Sequence, residues 1–220
     1  MSVYVLVQGG NMSTDTWNRL AGREDYPPGG HLGARYWAGT AASLEARGHR
    51  VFSPTLRDEH TGSLTEHIAQ VRDLIAANCL AEIVLVGHSY GGMVITGAAA
   101  LVPEKIRRLV YLDAAFPNPG QSLYDLLDLG LAGAGARPDL PEPDPPYVEK
   151  LNYDPSLLRP VPKTYIRCLK SDFLAVTRVA RQNLAAAGGD ATFLELASSH
   201  VPMADAPDEL LHLLLEAGTK

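Results

Sequence analysis

The chain has 220 residues, a formal net charge of −6, 46% hydrophobic and 20% charged residues, which suits one domain with a sizeable core. It has no basic cluster, which argues against nucleic acid or an anionic membrane as partner, and no apolar run nears the ~18 residues that span a bilayer. The two cysteines, Cys79 and Cys168, have no partner pattern or metal spacing, so free thiols in a cytoplasmic protein are expected.

The first segment, MSVYVLVQGG, has no basic start and too short an apolar run for a signal peptide. Val3–Val7 reads as a first core strand. Residues 18–34 are rich in Gly and Pro and interrupt the pattern. A helical pattern over Tyr36–Arg47 ends at Gly48, and Arg50–Phe52 reads as a strand. Ser63 and Glu66 form a capping box for a helix over Leu64–Asn78. Ile83–Val86 is the next strand, followed by a helix over Gly91–Leu101 that stops before Pro103. Leu109–Leu112 reads as a strand. Residues 114–162 then hold one amphipathic stretch, Gln121–Leu131, and the Pro-rich run RPDLPEPDPP. They read as a small lid or as a surface loop. Thr164–Cys168 and Thr192–Leu196 read as strands, with a helix over Phe173–Ala187 between them and one over Asp208–Glu216 after them. Strands alternating with helices imply a mostly parallel sheet of about six strands with helices on both faces, in one domain over 1–220.

Gly87-His88-Ser89-Tyr90-Gly91 fits G-x-S-x-G, a sharp strand-to-helix turn that presents a serine nucleophile. A chance match is expected roughly 0.09 times in a chain of this composition. This match lies where the mechanism requires it, after IVLV and before MVITGAAAL.

A serine hydroxyl needs a base. His88 lies inside the turn and reads as structural, with its side chain away from the substrate. His49, His67 and His212 read as surface or helix-face residues, and His31 and His60 as loop residues. His200 follows the last strand, in ASSHVPMADAP, where a base can reach back to Ser89.

The acid is expected between Ser89 and His200 in chain order. Asp172, just after TYIRC, and Asp113, at the end of LVYLD, both lie at carboxyl ends of strands. Asp172 also suits a helix N-cap. An oxyanion hole would take one backbone N–H from Tyr90 and one from the QGGN loop, most simply Gly10. No metal-ligand spacing, G-x-x-x-x-G-K-[ST] or strand-linked G-x-G-x-x-G occurs, so no metal and no nucleotide cofactor is expected.

With these residues the chain resembles the small α/β-hydrolases that include plant methyl esterases, the salicylate-binding esterase, hydroxynitrile lyases and bacterial relatives. The resemblance is carried by VLVQGG, SLEARGHRVFSPTL, GHSYGGMV, RLVYLDAAFPNPGQS, TYIRC and HVPMADAPDEL. It implies an α/β-hydrolase fold, Ser89 as nucleophile and His200 as base. Three departures stand out. Gln8 replaces the family's usual His, residues 18–34 have no usual counterpart, and the lid looks shorter. An ungapped match of TYIRCLKSD puts Ser171 at the family's acid position, and Asp172 fits with a one-residue shift. The aspartate of YLDA accompanies the later acid in the family, and a carboxylate at that strand end serves as the acid in some other α/β-hydrolases. Asp172 is the narrow favourite and Asp113 the alternative.

The expected function is cofactor-independent hydrolysis of a small ester or lactone in a mainly apolar pocket, through an acyl-enzyme on Ser89. A lyase or a secondary-metabolite tailoring enzyme could use the same Ser–His pair, and a non-catalytic binding protein is the third reading.

Overall fold

A computed structural model describes residues 1–132 and 143–219. Six strands form one sheet: β1 (Val3–Val7), β2 (Arg50–Phe52), β3 (Ile83–His88), β4 (Ile106–Leu112), β5 (Lys163–Cys168) and β6 (Ala191–Leu196). Their order is β2-β1-β3-β4-β5-β6, and every adjacent pair runs parallel. The helices are α1 (Thr14–Ala21), α2 (Ala38–Glu45), α3 (Leu64–Ala77), α4 (Gly91–Leu101), α5 (Leu123–Leu131), α6 (Pro145–Val148), α7 (Pro155–Leu158), α8 (Leu174–Ala187), α9 (Pro202–Asp205) and α10 (Pro207–Thr219).

Side chains alternate across the strands with period two. Val5, Val7, Leu85, Leu109 and Tyr111 share one buried cluster with Val71, Val94 and Leu184 of α3, α4 and α8. Tyr4, Leu6, Val84, Val86 and Val110 share the other with Leu44 of α2 and Leu210 and Leu214 of α10. Both faces are therefore covered, and this is why the strands read as unbroken apolar runs. The chain steps from β1 outward to β2 and then back past β1 to β3. The carboxyl ends of β1 and β3 thus flank the point where the winding reverses, the place where sheets of this kind bind ligands.

Two expectations need correction. Residues 18–34 are not wholly irregular, because α1 occupies Thr14–Ala21. Ser13 caps it by accepting from the Thr16 N–H, and Gly22 ends it in the left-handed region at φ 68°. These are the chemistries that start and stop a helix. The pattern over Tyr36–Arg47 divides into a 3₁₀ turn at Gly33–Trp37 and α2. Between β4 and β5 lie α5, α6 and α7. Residues 137–142 of the Pro-rich run are outside the described residues.

Candidate active site

The turn after β3 places Ser89 at φ 55°, a left-handed conformation that costs a non-glycine residue on the order of 1–3 kcal/mol. Backbone bonds hold it there: the Ser89 N–H donates to the Leu112 carbonyl at 3.3 Å, and the Ala115 N–H donates to the Ser89 carbonyl at 3.0 Å. Glycine is required on both sides of the approach. A Cβ at Gly91 would lie 2.5 Å from the Gln8 carbonyl oxygen, and one at Gly9 would lie 2.7 Å from Ser89 Cβ. The end of β1 therefore packs directly against the turn.

His200 lies in the loop between β6 and α9. The Ser199 N–H donates to Asp205 at 2.8 Å and fixes that loop. His200 Nε2 is 2.9 Å from Ser89 Oγ, and His200 Nδ1 is 2.7 Å from Asp113 Oδ2. Asp113 is fully buried, at φ 42°, and its Oδ1 accepts from the Cys168 N–H at 3.1 Å. A carboxylate can only accept, so Nδ1 carries the imidazole proton and Nε2 is left to accept from Ser89. This is the neutral tautomer that can take a proton from the serine.

Asp172, the sequence favourite, does not join this line. It is exposed, it makes no hydrogen bond to His200, and the cap of α8 falls on Phe173 instead. Its neighbour Ser171 is buried. Ser171 Oγ accepts from the Phe173 N–H and lies 3.4 Å from His200 Nδ1. The bend after β5 thus turns Ser171 toward the imidazole and Asp172 toward solvent.

His88 is buried, as its place in the turn suggests. Its Nε2 donates to the His200 carbonyl at 2.6 Å, so Nδ1 must accept, and the Tyr36 hydroxyl 3.2 Å away is the donor. Tyr36 Oη in turn accepts from the Gly9 N–H. One directed chain therefore joins the loop after β1, the turn after β3 and the base loop. Burial, and then the nearby His200, push the His88 pKa down to about 3, so the imidazole stays neutral and the chain keeps its direction.

His67 is not a surface residue. It is buried and bonds the Arg57 carbonyl through Nε2 and the Tyr90 hydroxyl through Nδ1, both at 3.0 Å. His31, His60 and His212 are exposed, and His49 accepts from the Ser2 N–H.

Among the described residues, the N–H groups of Tyr90 and Gly10 donate no hydrogen bond within the chain. Gln8, at the position of the family's usual His, is buried with its Oε1 unpartnered. Ser89 and His200 open into a cleft of about 660 Å3. Met12, Leu20 and Val201 give it apolar walls, and Thr16, Arg19 and Lys170 give it polar ones. Helix α1 and the loop after β5 supply these polar groups. Among the described residues no group of three or more His, Cys, Asp or Glu could hold a metal ion. No helix among them is long and apolar enough to cross a membrane.

Tyr36, which joins the loop after β1 to the turn after β3, and the residues that cover His67 carry no motif spacing that sequence reasoning could use. Only folding brings them into place.

A sequence model described as the alpha/beta hydrolase family matches residues 5–213. The carbendazim hydrolyzing esterase of Nocardioides sp. is 48% identical over 104 residues, 42% of this chain and 41% of that protein. The polyneuridine aldehyde esterase of Rauvolfia serpentina is 36% identical over 106 residues, 43% of this chain and 39% of that protein. The matched stretches thus span about two fifths of either relative. An extracellular alpha/beta-hydrolase from a Paenibacillus species, described as sharing structural and functional homology with tobacco salicylic acid binding protein 2, superposes with a TM-score of 0.73. It is 22% identical, over 100% of both chains.

Proposed function

Because the chain belongs to the alpha/beta hydrolase family, we propose that it is a cofactor-independent serine esterase acting on a small ester or lactone through an acyl-enzyme on Ser89. The observation that carries this is the unbroken line from Ser89 Oγ through His200 to the buried Asp113, at 2.9 and 2.7 Å. The names of the relatives, both esterases, support the reaction class.

In this reading His200 Nε2 accepts the Ser89 proton as Oγ attacks the ester carbonyl. Asp113 stabilises the imidazolium that forms. The N–H groups of Tyr90 and Gly10 receive the oxyanion. The imidazolium then protonates the leaving alkoxide, the tetrahedral intermediate collapses and the ester C–O bond breaks. Water, deprotonated by His200, releases the acid and restores Ser89. The described part of the segment between β4 and β5, which holds α5, α6 and α7, acts as a small lid. The substrate places apolar groups against Met12, Leu20 and Val201.

The test is pre-steady-state turnover of a p-nitrophenyl ester of a short acid. The reading expects a burst of nitrophenol near one per Ser89, and loss of at least ~10³-fold in kcat/KM for Ser89→Ala. Turnover by Ser89→Ala within tenfold of the parent rules the reading out.

A further inference from the structure

Oxyanion donors work only if they point correctly before the charge forms. Gly10 follows a second glycine in the loop after β1, so something else must hold its amide. The N–H groups on either side of it are both engaged. That of Gly9 donates to Tyr36 Oη, and that of Asn11 donates to Glu59 Oε2 at 3.0 Å. The Gly10 N–H between them is left open.

Glu59 Oε2 accepts a second bond, from the hydroxyl of Tyr147 at 2.5 Å. Tyr147 belongs to α6, in the segment between β4 and β5. Its ring meets the Tyr90 ring edge-on, with centroids 4.9 Å apart. A Cβ on Gly10 would lie 2.9 Å from Tyr147 Oη. So Tyr147 touches the residues that supply both oxyanion donors, and its hydroxyl fills the space a side chain at position 10 would need. The same segment is tied down twice more. Asp144 meets His60 at 2.5 Å, and Glu149 accepts from the Thr65 N–H at 3.2 Å. Burial, and then the Glu59 carboxylate, raise the Tyr147 pKa, which keeps its phenol a donor.

We propose that Glu59 and Tyr147 are positioning residues that lock the oxyanion loop to the lid segment, and that position 10 is glycine because the Tyr147 hydroxyl occupies the adjacent space. This rests on Gly10 and Tyr90 being the oxyanion donors of a Ser89 esterase. Glu59 lines the cleft beside Ser89 and His200, whereas Tyr147 reaches the reaction through the Gly10 amide and the Tyr90 ring.

The test is a cross of two substitutions, read in kcat and KM with the same p-nitrophenyl ester. Gly10→Ala alone should lower kcat by about 10²-fold with KM changed less than about threefold, because the oxyanion exists only in the transition state. Tyr147→Phe alone should cost about tenfold. In the Tyr147→Phe background, Gly10→Ala should cost less than about threefold more, since the next neighbours of that Cβ, at 3.8 and 4.0 Å, are ordinary contacts. Glu59→Ala should lower kcat and weaken binding of a boronate that mimics the tetrahedral intermediate. Glu59→Gln, which keeps an accepting oxygen, should recover most of both. An equal cost of Gly10→Ala in both backgrounds overturns the proposal. So does a Glu59→Ala enzyme that loses thermal stability and keeps its kcat and boronate affinity. Ser89→Ala run beside these separates the two readings. If it is dead while the cross shows no dependence, only the lock fails; if it turns over at the parent rate, both fail.

Discussion

Asp113 Oδ2 lies 2.7 Å from His200 Nδ1, although 87 residues separate the two in the chain. The contact is made by the end of β4 and the loop after β6. Asp113 is fully buried, and its second oxygen is held by the Cys168 N–H. It can therefore neither swing away nor exchange its partner for water. A fixed negative charge beside Nδ1 sets the tautomer of His200 and, in the proposed reaction, is the partner an imidazolium there would meet.

Asp113→Asn should therefore lower kcat by about 10²-fold or more with KM little changed. Asp172→Asn should stay within about threefold, because its exposed carboxylate does not reach His200. Steady-state kinetics of the two variants decide the assignment. A crippled Asp172→Asn beside an active Asp113→Asn would move the acid to the loop after β5.

His88 makes the fold sensitive to acid. Its pKa is pushed down to about 3 by burial and by His200, against an ordinary value near 6.5. The unfolded chain therefore binds a proton that the folded one refuses. The stability is fully present above about pH 6.5 and is lost progressively as pH falls toward 3, by an amount on the order of a few kcal/mol. Urea midpoints between pH 7 and 4 should fall more steeply for the parent than for His88→Gln, which bears no titratable group. Parallel pH profiles would show that His88 does not titrate on unfolding.

The His60–Asp144 contact gives the segment between β4 and β5 a pH-dependent tie in the opposite direction. A hydrogen bond and then the charge of Asp144 raise the His60 pKa above its usual 6.5. The tie is fully present below about pH 6.5 and is lost as pH rises through the raised value. The His60 ring signal in a proton NMR titration should have its midpoint above 6.5, and Asp144→Asn should lower it, with the smaller raising effects of Asp58 and Glu59 left in place. A midpoint that Asp144→Asn leaves in place would show that the contact does not hold in solution.

The sheet was legible because burial on two faces leaves a plain mark. Val3–Val7 and Arg50–Phe52 carry that mark to their end residues, and Ser63 with Glu66 marks the start of α3. The serine turn and the position of His200 were legible because mechanism restricts them to strand ends. Helix α1 was harder, since Thr14 and Trp17 are its only buried residues and its signals were two caps. The acid was ambiguous for a geometric reason. Asp113 and Asp172 both follow strands, and only the bend that turns Ser171 inward separates them. His67 looked like a helix-face residue because the loop carrying Arg57 covers it. Glu59 and Tyr147 lie 88 residues apart, and nothing local in either stretch announces the other.

The proposed reaction makes Ser89 a nucleophile activated by His200 and Asp113. It is tested most directly by treating the protein with a fluorophosphonate at neutral pH and measuring intact mass, followed by peptide mapping. One adduct per chain is expected, on Ser89, formed rapidly by the parent, about 10²-fold more slowly by Asp113→Asn, and absent from Ser89→Ala. An unmodified parent, or an adduct that persists in Ser89→Ala, would contradict it.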